Sequence, residues 1–332
     1  MKNLYRIEFV KVGQDSFIDF LKAYSIFCVV VSHCLPIVYW DKVLFHFWGD
    51  MQVPMFLLIQ TFHAYKKGTQ PRIKYKKVFT RIVAPFLAVQ LILIGIFGFV
   101  FDQNFHELMC SALSFQLKGP GSYYVLIYLQ FVFLLALLYP IVEKMSEQNF
   151  LFLMLALSIG AEVLFSVIQL PDSIYRLLFV RYLFLVYLGL IWVRRGVEIN
   201  LVTIGLSLFS IAATLFFVRT NLDLEPIFFN TGWKFHRWIC YFNVAWLLPF
   251  VLYKIYLMIS KVSWLNSCVM EIGKCSYEIF LVQMLVFGVF YQIQNQLIES
   301  AYYNLPLMMI ATTSISILGG IVFKRIILDR IA

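Results

Sequence analysis

Ten apolar runs, each bounded by charges or by Gly/Pro clusters, recur near residues 17–40, 46–65, 82–101, 123–142, 150–168, 174–193, 199–219, 238–257, 276–294 and 303–323. Each is close to the roughly 20 apolar residues that an α-helix needs to cross a hydrocarbon core of about 30 Å. The predicted fold is therefore all-α and polytopic: about ten transmembrane helices in a single domain, residues 1–332, with little chain left for a soluble domain. The first 16 residues are polar and the run after them exceeds 20 residues. A cleaved signal peptide carries an apolar core of only about 7–15 residues, so the first span is expected to stay as a signal anchor. No internal repeat or low-complexity tract interrupts the pattern.

Composition agrees. The chain is 61% hydrophobic, 18% aromatic and only 14% charged, whereas soluble domains average about 45–50% apolar and 25% charged. Its net charge of +9 does not point to nucleic acid, because the basic residues punctuate the apolar runs and form no continuous solvated face. Outside the spans or within four residues of their ends, the N-terminus, the even-numbered connections and the C-terminus together hold 19 Lys and Arg, against 6 on the opposite connections. Positive charge is retained on the cytoplasmic side, so both termini are expected in the cytoplasm.

The segment 66–81 (KKGTQPRIKYKKVFTR) carries seven positive charges and no negative one. That composition suits topology, anionic lipid headgroups or a polyanionic cofactor. On the outer side, residues 102–122 end in Gly119-Pro120-Gly121-Ser122, and residues 220–237 contain Asn230, Gly232, Trp233 and Lys234; both suit tight re-entry or sugar contact. The six cysteines (Cys28, Cys34, Cys110, Cys240, Cys268, Cys275) form no C-x-x-C pair, so they read as small buried hydrophobes rather than a zinc site or disulfide framework. The absence of an N-x-Ser/Thr sequon favours a bacterial cytoplasmic membrane.

A charge at membrane depth costs roughly 2.5–3.5 kcal/mol on insertion scales, and the first span holds Asp19, Lys22 and His33. At about 100° per residue, the 11 positions from Lys22 to His33 leave them about 20° out of phase, with Asp19 about 40° from His33 on the other side. The three form one polar stripe. Lys22 and His33 stand about 16 Å apart along the axis, too far for contact but within the reach of one extended substrate. The blander alternative is an Asp19–Lys22 i,i+3 pair snorkelling to the interface, with His33 as a packing residue. Against it, an imidazole with a pKa near 6.5 can take and return a proton at physiological pH. Gln60, His63, Arg181, Glu278 and Gln283 are further polar groups in spans that need partners.

Further segments follow in order: 53–62 (VPMFLLIQTF), 77–86 (KVFTRIVAPF), 119–125 (GPGSYYV), Arg181-Tyr182 with Gly189, and 276–283 (SYEIFLVQ). With Asp19, Lys22 and His33 they resemble the acyltransferase 3 family, integral-membrane proteins of about ten helices that O-acylate sugars and other extracytoplasmic targets. The family carries an Asp three residues before a basic residue, usually Arg, and a His after ten more. Three departures stand out: Lys22 for Arg, which loses the bidentate fork, Gln60-Thr61 for a Ser-Gly pair, and Gln283 for a His. His46 and Asp50 have H-x3-D spacing, one residue short of an H-x4-D acyltransferase motif.

The resemblance implies an O-acyltransferase, acetylating or succinylating a hydroxyl of a cell-surface polysaccharide or its lipid-linked precursor. Acyl-CoA, acetyl-CoA foremost, would be a donor substrate rather than a permanently bound cofactor, and no metal is implied. Lys22, Lys77 and Arg81 would hold its phosphates, and His33 would act as general base or, alternatively, carry the acyl group. Asp19, Gln60 and Arg181 would support them; Tyr123, Tyr124 and Trp233 would meet the glycan acceptor. The lipid bilayer, a second copy of the chain and polysaccharide-synthesis proteins are the expected partners. The competing reading from the residues alone is a multi-pass transporter or flippase, whose inverted repeats the sequence does not show; a purely structural membrane subunit is a third.

Overall fold

Each of the ten apolar runs contains helix, as a solvent without hydrogen-bonding groups requires. The computed structural model describes residues 4–9, 14–34, 48, 51–113, 117–168, 170–175, 177–220, 237–301 and 305–328. The helices are α1 (Gln14–Cys34), α2 (Gln52–Tyr65), α3 (Tyr75–Phe99), α4 (Phe105–Leu113), α5 (Tyr123–Lys144) and α6 (Glu147–Val167). After them come α7 (Phe184–Arg195), α8 (Leu201–Thr220), α9 (Arg237–Ala245) and α10 (Leu247–Ile259). The last are α11 (Ser263–Lys274), α12 (Ser276–Ala301) and α13 (Leu305–Phe323).

Among the described residues six segments are long and apolar enough to cross a membrane: Ser16–Cys34, Tyr75–Phe99, Tyr123–Lys144, Glu147–Phe165, Tyr241–Ile259 and Met309–Ile326. The pair α11–α12, bent by 72°, makes a seventh if counted as one span. The second and sixth apolar runs hold helices of only 14 and 12 residues. Two departures from straight helix have local causes. Pro85 has no N–H to give to the preceding turn, and that turn, Phe79–Val83, is π-helical. The sixth run is broken at Leu178, whose φ of −100° and ψ of 137° are extended.

The fold is not purely helical. Strand β1 (Tyr5–Ile7) pairs antiparallel with β2 (Val197–Ile199), Tyr5 opposite Ile199 and Ile7 opposite Val197. Arg6 Nε donates to the Arg195 carbonyl at 2.6 Å, and Arg195 in turn meets Glu147 at 2.7 Å. Lys254 Nζ sits 4.4 Å from the Tyr5 ring centroid. At the start of α1, Phe17 packs on Tyr253 and Tyr256, and Asp19 touches Gly273 near the end of α11. Arg325 then pairs with Glu271 at 3.1 Å. These contacts gather the N-terminal strand, the start of α6, the α7–α8 connection, the α11–α12 bend and the end of α13 at one end of the bundle. They belong to the segments that carry the Lys/Arg excess.

Two apolar clusters fill the interior. One joins the first half of α1 (Phe17, Leu21) to α2, α5, α7 and α10; the other joins its second half (Ile26, Val30) to α3 and α12. Helix α1 is thus shared by both halves. The expectation that the cysteines are buried holds for Cys28 and Cys275, but Cys110 and Cys268 are exposed. Apolar helices in a bilayer need not turn such residues inward, since lipid solvates them as readily as the core does.

Non-helical backbone inside the bundle is held by glutamine side chains. Gln90, 4% exposed on α3, donates through Nε2 to the Lys118 carbonyl and accepts the Lys118 N–H at Oε1, both at 2.9 Å. Gln283 Nε2 donates to the Pro120 carbonyl at 3.0 Å. Gln130 clamps residues 177–179 in the same way, donating to the Leu177 carbonyl at 2.7 Å and accepting from the Phe179 N–H at 2.9 Å. Replacing Gln90 by Leu is expected to cost about 1–3 kcal/mol for each backbone group left unpaired. Thermal unfolding in detergent checks this, and an unchanged midpoint would show that the clamp is dispensable.

Candidate functional site

The first-span stripe organises the interior. Lys22 Nζ donates to Asp19 Oδ1 at 2.9 Å, so the i,i+3 pair is formed. Lys22 nevertheless also faces a cavity of about 1100 Å³. That cavity has a basic end, where Lys22 is joined by Arg72, Lys74, Lys77, Arg81 and His63. At the other end it is lined by Ser32, His33, Cys34, Gly121, Tyr123 and Tyr124. Among the described residues that line it there is no carboxylate; Asp19 offsets Lys22 from behind. Concentrated positive charge in a low-dielectric wall is a ready site for a polyanion.

Between the ends, α2 presents Gln60 and α5 presents Tyr128. Gln60 Nε2 donates to the Tyr128 carbonyl at 3.1 Å. Its Oε1 is buried and has no hydrogen-bond partner among the described residues. Tyr277 also lines this stretch, and its hydroxyl donates to the Ile82 carbonyl at 2.6 Å. That bond ties α12 to α3 beside the basic end.

His33 occupies the last turn of α1. The turn Gly119–Ser122 lies against its imidazole. Gly121 has a φ of +79°, a conformation glycine adopts without cost, and a Cβ there would stand 3.9 Å from His33 Nε2. On the other side the His33 ring is 6.0 Å from that of Phe287.

Of the residues singled out from sequence, the structure brings Lys22, His33, Gln60, Lys77, Arg81, Tyr123 and Tyr124 onto one cavity. His63, noted there only as a polar group needing a partner, lines it too. Asp19 reaches it only through Lys22. Arg181 is not among the described residues that line it. Its carbonyl accepts from the Tyr241 hydroxyl at 3.0 Å and its guanidinium lies 5.7 Å from the Tyr182 ring. Nearby, Tyr175 donates to the buried Glu162 at 2.6 Å. Gln283 is fully buried and serves the 119–122 turn rather than the cavity. His46, Asp50 and Trp233 lie outside the described residues.

Sequence reasoning did not assign a site role to Arg72, Lys74, Tyr128, Tyr277, Ser32 or Cys34, although Arg72 and Lys74 lay in the basic segment 66–81, Tyr277 in the segment 276–283 and Cys34 among the cysteines. Tyr128 carried a usable signal, since it is one helical turn from Tyr124 and shares its face.

A family model described as "Acyltransferase domain", of the acyltransferase 3 type, matches residues 15–325. That stretch takes in every element lining the cavity. No curated protein and no solved structure matches the chain.

Proposed function

From the premise that the chain belongs to the acyltransferase 3 family, and so is a multi-pass membrane acyltransferase rather than a transporter, we propose that it moves an acyl group from acyl-CoA to a hydroxyl of a surface polysaccharide or its lipid-linked precursor. One observation carries this reading: a single cavity joins five cationic side chains to His33. An acyl-CoA has that shape and charge, with phosphates at one end and a reactive thioester at the end of a long arm.

In this reading Lys22, Lys77 and Arg81, with Arg72 and Lys74, hold the phosphates in the cytoplasm, where the Lys/Arg distribution puts them. The arm lies along Gln60, whose unpaired Oε1 offers an acceptor to an amide N–H of pantetheine. The thioester then reaches His33, about 16 Å along the α1 axis from Lys22. His33 takes the proton of the acceptor hydroxyl as its oxygen attacks the thioester carbonyl. The new C–O bond forms, the C–S bond breaks, and the leaving thiolate recovers the proton from the imidazolium. The thioester brings its own activation, so the residues have only to position and to move one proton. Tyr123 and Tyr124 present aromatic faces to a sugar entering beside Gly121, with Trp233 a further proposed contact. Ten spans, both termini cytoplasmic, in a bacterial cytoplasmic membrane complete the reading.

The double variant Lys77→Ala with Arg81→Ala tests the donor end. Hydrogen bonds to charged groups contribute about 1.5–3 kcal/mol each, so KM for acetyl-CoA should rise by at least ten-fold with kcat much less affected. Thiol release by purified protein in vesicles, with surface glycan as acceptor, reads both. An unchanged KM would remove the phosphates from this end.

A further inference from the structure

The cavity wall beside His33 includes a close contact at Gly121. Gly121 has no side chain, and the space a Cβ would take is already contested: such an atom would meet Phe280 Cε2 at 3.0 Å and Cζ at 3.7 Å, with His33 Nε2 at 3.9 Å. The Phe280 ring therefore stands against the backbone of the turn, next to the imidazole. It is 5% exposed and is held from two sides, edge-on to Tyr124 with centroids 5.8 Å apart and stacked on Tyr277 at 6.3 Å. Val29 lines the same cavity one helical turn before His33.

We propose that Phe280, wedged against Gly121, is the wall that restricts the donor to short acyl chains. This rests on the acyl-CoA reading above. For transfer, the thioester carbonyl carbon must come within bonding reach of an oxygen whose proton His33 accepts. The first carbons of the acyl group therefore lie beside the imidazole. The donor arm fills the cavity back toward the basic end, and the Phe280 ring stands against Gly121 on the α12 side of that point. A longer tail then runs into Phe280 and Val29. Phe280 cannot swing aside freely, because Tyr124 and Tyr277 pack on it and Gly121 backs it. Hydrophobic pockets discriminate by about 10–200-fold for a single methylene, so one fixed ring is enough to set a length limit.

The test compares kcat/KM for acetyl-, butyryl- and hexanoyl-CoA in vesicle-reconstituted wild type, Phe280→Ala and Phe280→Leu. The hexanoyl-to-acetyl ratio is taken within each protein, so that a general loss of activity divides out. Wild type should prefer acetyl, Phe280→Ala should raise the ratio at least ten-fold, and Phe280→Leu should raise it less. A wild type that uses hexanoyl-CoA as well as acetyl-CoA, or an active variant with an unchanged ratio, overturns the assignment. Should Phe280→Ala not survive size-exclusion chromatography, the Leu variant, which keeps most of the apolar volume, decides the matter. Failure of wild type to turn over any of the three donors would bring down the acyl-CoA reading itself, whereas turnover with an unaltered ratio removes only the wall.

Discussion

His33→Ala is expected to lower kcat for acyl transfer by about 10²–10⁴-fold, the range that a positioned acid–base group contributes, while the protein stays folded. The imidazole stands on the last turn of α1 at the end of the cavity opposite the cations. No carboxylate lines the cavity among the described residues, and the other imidazole that lines it, His63, belongs to its basic end. The loss should fall on kcat, because the proposed phosphate contacts are about 16 Å away along α1. His33→Asn, which keeps a polar amide but cannot carry the proton, should be as inactive as Ala. Thiol release from acetyl-CoA in vesicles, together with CoA binding by calorimetry, separates the two effects. Full turnover by either variant would displace His33 from the centre of the reaction.

Gly273→Val is expected to destabilise the protein by about 3 kcal/mol, the upper end of what overpacking a well-packed interior usually costs, and to weaken donor binding as well. Any Cβ at 273 collides with the Asp19 carbonyl oxygen in the second turn of the α1 backbone. A backbone atom cannot rotate out of the way, so α11 must move off α1. Asp19 is also the partner of Lys22, and a shift there would displace a cation from the mouth of the cavity. A midpoint several degrees lower in detergent, with a raised KM for the donor, is the expected pair of results. An unaltered midpoint would mean that the helices part at no cost.

What the sequence made legible follows from what each part depends on. The apolar runs were readable because lipid imposes length and composition on a spanning helix locally. The stripe of Asp19, Lys22 and His33 was readable because one helical period orders it. The break at Leu178 was not, because it is stabilised from 47 and more residues away, by Gln130 on α5. Arg181 lies just beyond that break, so its place along an apolar run did not predict its neighbours: Tyr241, 60 residues on, binds its carbonyl. Arg72 and Lys74 stood in a segment noted for its charge, yet which of its seven cations face the cavity depends on how the chain before α3 folds over α2. Gln283 was noted as a substitution; that it holds Pro120, 163 residues earlier in the chain, required the fold.

Strand β1 has a consequence for the order in which the molecule is completed. It is among the first segments to be synthesised, but the residue its Arg6 binds comes 189 positions later. At the about 5–20 residues per second of chain growth, that is a wait of roughly 10–40 s. Contacts between distant residues are also slow to form because their loop must close first. Helix α1, which belongs to both apolar clusters, must therefore lodge in the bilayer before its neighbours and be captured by them afterwards. The polar stripe of Asp19, Lys22 and His33 thus waits in the bilayer for longer than any other part of the candidate site.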